Sequence, residues 1–234
     1  MEAKRFFKIA ALIIAGLAVA SVSGEKGAGA MEVSEEKIIS LPEPEHDSST
    51  SLEQALLKRR SQRSYAQAPL CLDEVSQLLW ATQGVTSRQG FRTAPSAGAL
   101  YPLEIFVAAG SVEGLDPGIY RYMPESHKLR AEISGDKREE IYAAGLRQPP
   151  IREAPAVFVV TAVFERTMQK YGGRGERYAM MEAGHAAQNL CLQTVDLDLA
   201  AVPIGAFDDS GVARVLGLDK KTTPLYLLPV GKKD

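Results

Sequence analysis

The run at residues 156–164, AVFVVTAVF, constrains this chain more than any other feature. Every residue except Thr161 is apolar, and more than half are β-branched, so no face is left for water. Such a run reads as a central strand buried on both sides. A strand of that kind needs neighbours on both edges and a covering layer on both faces.

The rest of the sequence offers candidates for each. Residues 104–109 (EIFVAA), 118–122 (GIYRY), 201–204 and 225–230 read as further strands. Helical patterns cover about 51–60, about 72–81, 136–147 and about 176–197. Ser51, Leu52, Glu53 and Gln54 supply an N-cap and an early acid for the first helix. The second is entered through Pro69 and closed near Gly84. Strands and helices mixed without strict alternation predict an α+β fold, a sheet with helices packed on it. At 234 residues the chain is long enough for one core without disulfide or zinc staples.

The N-terminal part reads differently. Lys4, Arg5 and Lys8 form a basic front, residues 9–20 an unbroken small and apolar run, and Ala18-Val19-Ala20 an A-x-A cleavage pattern. This is the layout of an export signal over residues 1–24, with an uncleaved membrane anchor as the competing reading. Residues 25–50 are acidic and rich in Gly, Ser and Pro, which predicts a flexible linker or extended arm. The folded domain is then expected over 51–234, in an exported or membrane-anchored protein.

Charge and cysteine usage exclude several classes. With 27 basic and 29 acidic residues, the formal charge of −2 gives no basic excess for nucleic acid. Cys71 and Cys191 stand far apart and outside any CxxC, and three histidines are too few for a His-rich metal site. Glu182 and His185 have the Glu-x-x-His spacing of di-iron bundles, but no second copy follows. They are expected to make structural hydrogen bonds within the helix packing. Ala183, Gly184, Ala186 and Ala187 narrow one side of the same helix, which suggests close helix contact across a dimer seam.

Three segments carry candidate chemistry. Lys58-Arg59-Arg60-Ser61-Gln62-Arg63 ends the first helix. Guanidinium forks with a serine hydroxyl suit a phosphate, and a solvated basic helix end is the plainer reading. Residues 92–104, RTAPSAGALYPLE, place small residues and two prolines before a strand, where backbone can approach a flat ligand. Residues 203–208, PIGAFD, form another small-residue loop whose amides could point at a ligand.

These segments, in this order and spacing, together with LLWATQG, KYGGRGERY, MEAGHAAQNLCLQ and the closing LYLLPVG, resemble the nitroreductase family of flavoproteins. The branch they resemble is the SagB-type group, which includes azoline dehydrogenases. The resemblance spans about residues 51–232. It implies a mixed or antiparallel sheet surrounded by helices, with FMN at a homodimer interface. It also implies that Arg59, Arg60 and Ser61 hold the FMN phosphate with help from Lys232, while Arg63 lies nearer the flavin pyrimidine. Pro95, Ser96, Ala97 and Gly98 would line the ring or ribityl chain, in this family often from the partner subunit. Pro203, Ile204, Gly205 and Ala206 would carry main-chain donors to the flavin edge. Many relatives have Asn where this chain has Ala99 and an acid where it has Gly205, so those side-chain contacts are lost. Lys170-Tyr171 matches a pair associated with substrate proton removal in the azoline branch. A lysine beside an apolar flavin site can act as a base; a polar surface loop is the competing reading of that segment.

Three functions stay open on these residues. One is an FMN oxidoreductase with a small-molecule substrate and NAD(P)H as donor. The second is an azoline dehydrogenase acting on a peptide, which an export signal disfavours. The third is a flavin-binding protein without catalysis.

Overall fold

A computed structural model describes residues 37–234. The export segment expected at 1–24 and the first part of the arm lie outside the described residues.

The run at 156–164 forms β5 (Ala156–Val163), an interior strand of a seven-stranded sheet. The others are β1 (Ile38–Ser40), β2 (Leu103–Ala109), β3 (Gly118–Met123), β4 (Lys128–Ser134), β6 (Leu199–Ala201) and β7 (Thr222–Lys232). Their order is β1-β4-β3-β2-β5-β7-β6, and every neighbouring pair is antiparallel. On β5, Val159 stands between Phe106 of β2 and Leu227 of β7. The period of two sends alternate side chains into two cores. Ala156, Phe158, Val160 and Ala162 pack with α2 (Leu72–Gln83) and α6 (Arg174–Asp196). Val157 and Val159 face the other way, against α3 (Arg138–Ala144), α4 (Pro149–Glu153) and α7 (Asp209–Val215). The result is the helix–sheet–helix layering expected of the α+β reading.

Several elements differ from expectation. The short helix expected over 136–147 is α3, but a second, unexpected helix follows it: Leu146 and Arg147 take left-handed φ values of 56° and 55°, and Pro149-Pro150 starts α4, where a missing N–H does no harm. A further helix, α5 (Phe164–Tyr171), follows β5 directly. Residues 37–50, expected as part of a flexible linker, are docked. Ile38–Ser40 adds a strand to β4. The Pro42 carbonyl accepts from the Ser76 hydroxyl and lies 3.0 Å from His127 Nε2, while Gln77 binds both the N–H and the carbonyl of Glu45. Main-chain hydrogen bonding, which composition does not report, fixes this segment, so the ordered domain begins before Ser51. The small-residue side of α6 also departs from expectation. Ala183, Ala186 and Ala187 are buried inside this chain against α2 and the sheet, and only Gly184 is left with open space beside it.

Candidate active site

The first helix, α1 (Leu52–Lys58), is capped by Ser51, whose hydroxyl accepts from the Gln54 N–H. The chain leaves it at Arg59 and runs along the ends of β6 and β7. The Gln62 N–H donates to Ala201 O (2.9 Å), the Ala66 N–H to Lys232 O (3.1 Å) and the Tyr65 hydroxyl to Pro229 O (3.3 Å). Arg60 folds back on its own helix, donating to the Leu57 and Arg59 carbonyls. Among the described residues, no hydrogen bond or ion pair engages the side chains of Arg59, Ser61 or Arg63. Two guanidinium groups and a hydroxyl thus stand unpartnered on five residues of a pinned segment. Arg59 lies close enough to Cys191 of α6 for its charge to oppose the burial that pushes this thiol up to about 11.

Lys232 differs from its expected role. Its ammonium is ion-paired with Glu74, whose carboxylate also accepts the Cys71 N–H at the start of α2. Lys232 therefore ties β7 to α2 and is not a free cation.

The loop at 92–102 is clamped from two sides. The Ala97 N–H donates to Glu182 Oε1 of α6 (2.8 Å), the Tyr101 N–H to the Ser96 hydroxyl (2.9 Å), and Asn189 Nδ2 to Thr93 O (3.3 Å). From α5, Arg166 donates to Tyr101 O (3.1 Å). Gly98, Ala99 and Tyr101 adopt left-handed φ values of 66°, 53° and 44°. Pro95 and Gly98 are exposed, Ser96 and Ala97 half-buried. Glu182 is buried, which raises its carboxyl above the ordinary range against the pull of the Ala97 N–H and Ser96 hydroxyl. Its partner is this loop rather than the helix packing expected from sequence. The available signal was an acid in the buried row Ala179, Ala183 and Ala186.

Lys170 and Tyr171 form the last turn of α5, not a surface loop. Tyr171 is half-buried and meets Tyr178 edge-on at 5.2 Å. A Cβ placed on Gly98 would lie 2.8 Å from the Tyr171 hydroxyl and 3.0 Å from Lys170 Nζ. Both polar tips therefore rest against the Gly98 backbone, where only glycine leaves them room. Lys170 itself is exposed in the single chain, so its own subunit does not provide the apolar surroundings expected for a base.

The segment at 203–206 begins two residues beyond β6. Ile204 is anchored by reciprocal main-chain bonds to Leu227, and Gln148 Nε2 donates to Ala206 O (2.8 Å). Pro203, Gly205 and Ala206 are exposed. Among the described residues, no hydrogen bond takes up the N–H of Gly205 or Ala206. Asp208 then caps α7 by accepting from the Ser210 N–H.

The structure thus gathers the sequence candidates into two groups. The Arg59–Arg63 segment and the Gly205–Ala206 amides share the β6 end of the sheet. The 95–98 loop and the Lys170–Tyr171 pair meet beside Glu182. Cys191, next to Arg59, stands nine residues beyond Glu182 on α6, about 13 Å at 1.5 Å per residue. Among the described residues, no group of three or more His, Cys, Asp or Glu could hold a metal ion, and no helix is long and apolar enough to cross a membrane.

Comparison with known proteins points one way. The model of the Nitroreductase family matches residues 56–232. The chain is 45% identical over 195 residues to "Putative nitroreductase MJ1384" of Methanocaldococcus jannaschii, covering 83% of this chain and 96% of the relative. It is 31% identical over 137 residues to the Microcin B17-processing protein McbC of Escherichia coli, covering 56% of this chain and 50% of McbC. A crystal structure described as a nitroreductase from Ralstonia eutropha superposes with a TM-score of 0.74 at 28% identity, covering 85% of this chain and 90% of the other.

Proposed function

The chain belongs to the nitroreductase family of oxidoreductases, and we propose that it binds FMN and oxidises or reduces a small-molecule or peptide substrate through it. The observation that carries this reading is the set of unpartnered donors at the β6 end of the sheet. A phosphate of about two negative charges suits two guanidinium groups and a hydroxyl with no other partner. The free Gly205 and Ala206 amides supply neutral donors of the kind that suit the polar edge of a flavin ring. The donor set fits the cofactor.

When bound, FMN would supply reversible hydride and electron exchange. The chain's own residues do the rest. Arg59 and Ser61 would hold the phosphate, and Arg63 would supply positive charge on the same segment. Arg60 keeps the end of α1 closed, and Lys232 positions the segment through its pair with Glu74. Pro95 to Gly98 give a surface without bulky side chains, rigid because Glu182 and Arg166 clamp it. Lys170 Nζ accepts a substrate proton, with the Tyr171 hydroxyl beside it.

The assembly proposed is a homodimer. Leu52, Leu56 and Leu57 on α1 are 61%, 54% and 66% exposed, and Met180 and Met181 on α6 about half exposed. Exposed large apolar side chains on two helices support a partner surface. The basic front and apolar run of residues 1–24 support export or anchoring outside the cytoplasm.

A second reading, azoline oxidation of a peptide, is favoured by the Lys170–Tyr171 contact with Gly98 and by the likeness to McbC. One spectrum separates these readings. A purified protein that is yellow, with FMN released on denaturation, is expected; a colourless protein that takes up no FMN would overturn the proposal. Bleaching by NADH or NADPH supports the general oxidoreductase, while bleaching only by a thiazoline or oxazoline peptide supports the second reading.

A further inference from the structure

A cleft of ≈ 400 Å³ opens beside the 95–101 loop, at the ends of β2, β3 and β4. Three arginines, Arg92, Arg121 and Arg166, line it with two acids, Glu104 and Glu125, while a fourth, Arg130, is held by its own pair with Glu132. The pairing inside the cleft does not balance. Glu104 is the buried hub, its side chain 11% exposed, and it accepts from Arg121 Nε (2.7 Å) and from Arg166. One carboxylate thus serves two guanidinium groups. Arg92 is 10% exposed, but its acid partner Glu125 is 73% exposed, so that pair is largely screened by water. Arg92, stacked on Tyr101 at 4.5 Å, thus brings a third guanidinium to this wall, its charge met only by an acid at the water-exposed rim.

The cleft also lies near the reacting groups. Arg166 and Lys170 are four residues apart on α5, so they share a helix face about one turn apart, ~6 Å along the axis. Arg166 touches Tyr101 while Lys170 rests on Gly98, so two turns of one helix grip two points of one loop.

We propose that this cleft is an oxyanion subsite for the reactant. A carboxylate or phosphate group docks against the Arg121–Arg166–Arg92 guanidinium groups, and the reacting end of the same molecule reaches Lys170. Planar guanidinium forks match both oxyanions bidentately. The substrate class is then an anionic small molecule or an acid-bearing peptide. This rests on the oxidoreductase reading for its consequence and for the kinetic arm of its test, but not for the calorimetric arm.

The probes are 4-nitrobenzoate and 4-nitrobenzamide, which match in shape and differ in charge. Anaerobic reoxidation of dithionite-reduced protein is followed against the concentration of each probe. Half-saturation by the benzoate is expected about tenfold below that by the amide, the size of one charge-assisted contact. Arg121→Ala should bring the ratio toward one, since Glu104 keeps Arg166 and no buried acid is stranded. Glu104→Gln removes the charge shared by two arginines and should widen the ratio, so it decides the matter if the first variant does not fold. Both effects should shrink at high salt. Calorimetric titration of the oxidised full chain with 4-nitrobenzoate, and separately with inorganic phosphate, reads the cleft without turnover. Binding of either that Arg121→Ala removes supports the subsite, and the tighter of the two names the source. Equal half-saturation by the two probes, or no binding of either anion to the wild type, would overturn it. A protein that binds these anions but never FMN would sink the oxidoreductase reading and leave the subsite standing.

Discussion

Gly98→Ala separates the backbone contribution of the 95–98 loop from its place in the chemistry. Gly98 sits at φ 66°, a left-handed conformation that an alanine adopts at a cost of about 1–2 kcal/mol. The new methyl would also stand 2.8 Å from the Tyr171 hydroxyl and 3.0 Å from Lys170 Nζ. Those are the tips of two side chains, so they yield before the backbone does. The φ penalty then dominates stability, a melting point lower by about 2–8 °C for a chain of this size. Displacement dominates activity. Restoring ordinary contact moves the Lys170 and Tyr171 tips by somewhat less than an ångström, and a misplacement of that order slows a positioned step by about a hundredfold. Gly205→Ala provides the contrast. Its methyl would meet only Tyr226 Cε1, at 3.9 Å, so stability should stay within about 0.5 kcal/mol of wild type. That methyl lies beside the free Gly205 and Ala206 amides, so flavin occupancy should fall instead. Thermal melts by circular dichroism, FMN content and stopped-flow flavin reduction by substrate give the readouts. A Gly98→Ala protein that melts early yet reduces its flavin at the wild-type rate would refute the placement of Lys170 and Tyr171 at the reaction. One that melts as wild type would refute the left-handed turn.

The other expectations are sharper in direction than in size. Arg59→Ala should weaken FMN binding by about ten- to a hundredfold, read as cofactor content after dialysis, and full occupancy would remove Arg59 from the phosphate site. Lys170→Ala should slow reduction by substrate about 10²–10⁴-fold while dithionite still reduces the flavin normally; an unchanged substrate rate would leave Lys170 without a chemical role. Mixing and refolding Arg59→Ala with Gly98→Ala chains should restore activity above either parent, because one of the two sites in a mixed dimer regains both intact halves; no gain over the parents would count against shared sites. His127 is held below its ordinary pKa, chiefly by burial. Its Nδ1 lies 2.9 Å from the Tyr122 hydroxyl and accepts from it in the neutral ring. The unfolded chain takes up this proton first as pH falls through about 6.5, so the stability His127 provides is present above that pH and lost below it. Protection of the Leu41 and Glu45 amides, taken relative to the intrinsic exchange rate at each pH, should fall from pH 7 to 5, and a flat protection profile would show that His127 does not hold the arm.

How much of this was legible depended on where each element's order comes from. The β5 run carried its own proof, because a strand buried on both faces must be apolar throughout. The helices α1, α2 and α6 announced themselves through caps and periodicity. By contrast, β4 reads KLRAEIS, with charged residues between Leu129 and Ile133, and its order comes from main-chain pairing to β3 and β1. The α5 helix begins directly at the end of β5, where the strand pattern masks its start. In the site, the chemistry-bearing residues were visible as motifs, but their partners were not. Lys232 looked like a phosphate ligand until Glu74, 158 residues away in sequence, proved to hold it. Glu182 looked like packing until its carboxylate was found on the Ala97 N–H. Long-range polar pairing leaves no local period to detect.

The separation of the two half-sites along α6 bears directly on the dimer we propose. The loop group meets α6 at Glu182, and the basic group meets it near Cys191, about 13 Å further on. The internal face of α6 is already occupied by α2 and the sheet, so a partner has only the outer face, with Met181, Gly184 and His185, and the exposed leucines of α1. A two-fold axis perpendicular to α6 at that surface would run the partner's helix in the opposite direction. The Glu182 end of one chain then comes beside the Cys191 end of the other, in both senses at once. Each pairing in the proposed dimer would join the 95–98 loop and Lys170 of one subunit to the Arg59 segment and Gly205–Ala206 amides of its partner. Lys170, exposed in the single chain, would be covered in the same event, which supplies the desolvation that a lysine base requires. In the proposed dimer, assembly, cofactor binding and activation of the base would become one step rather than three.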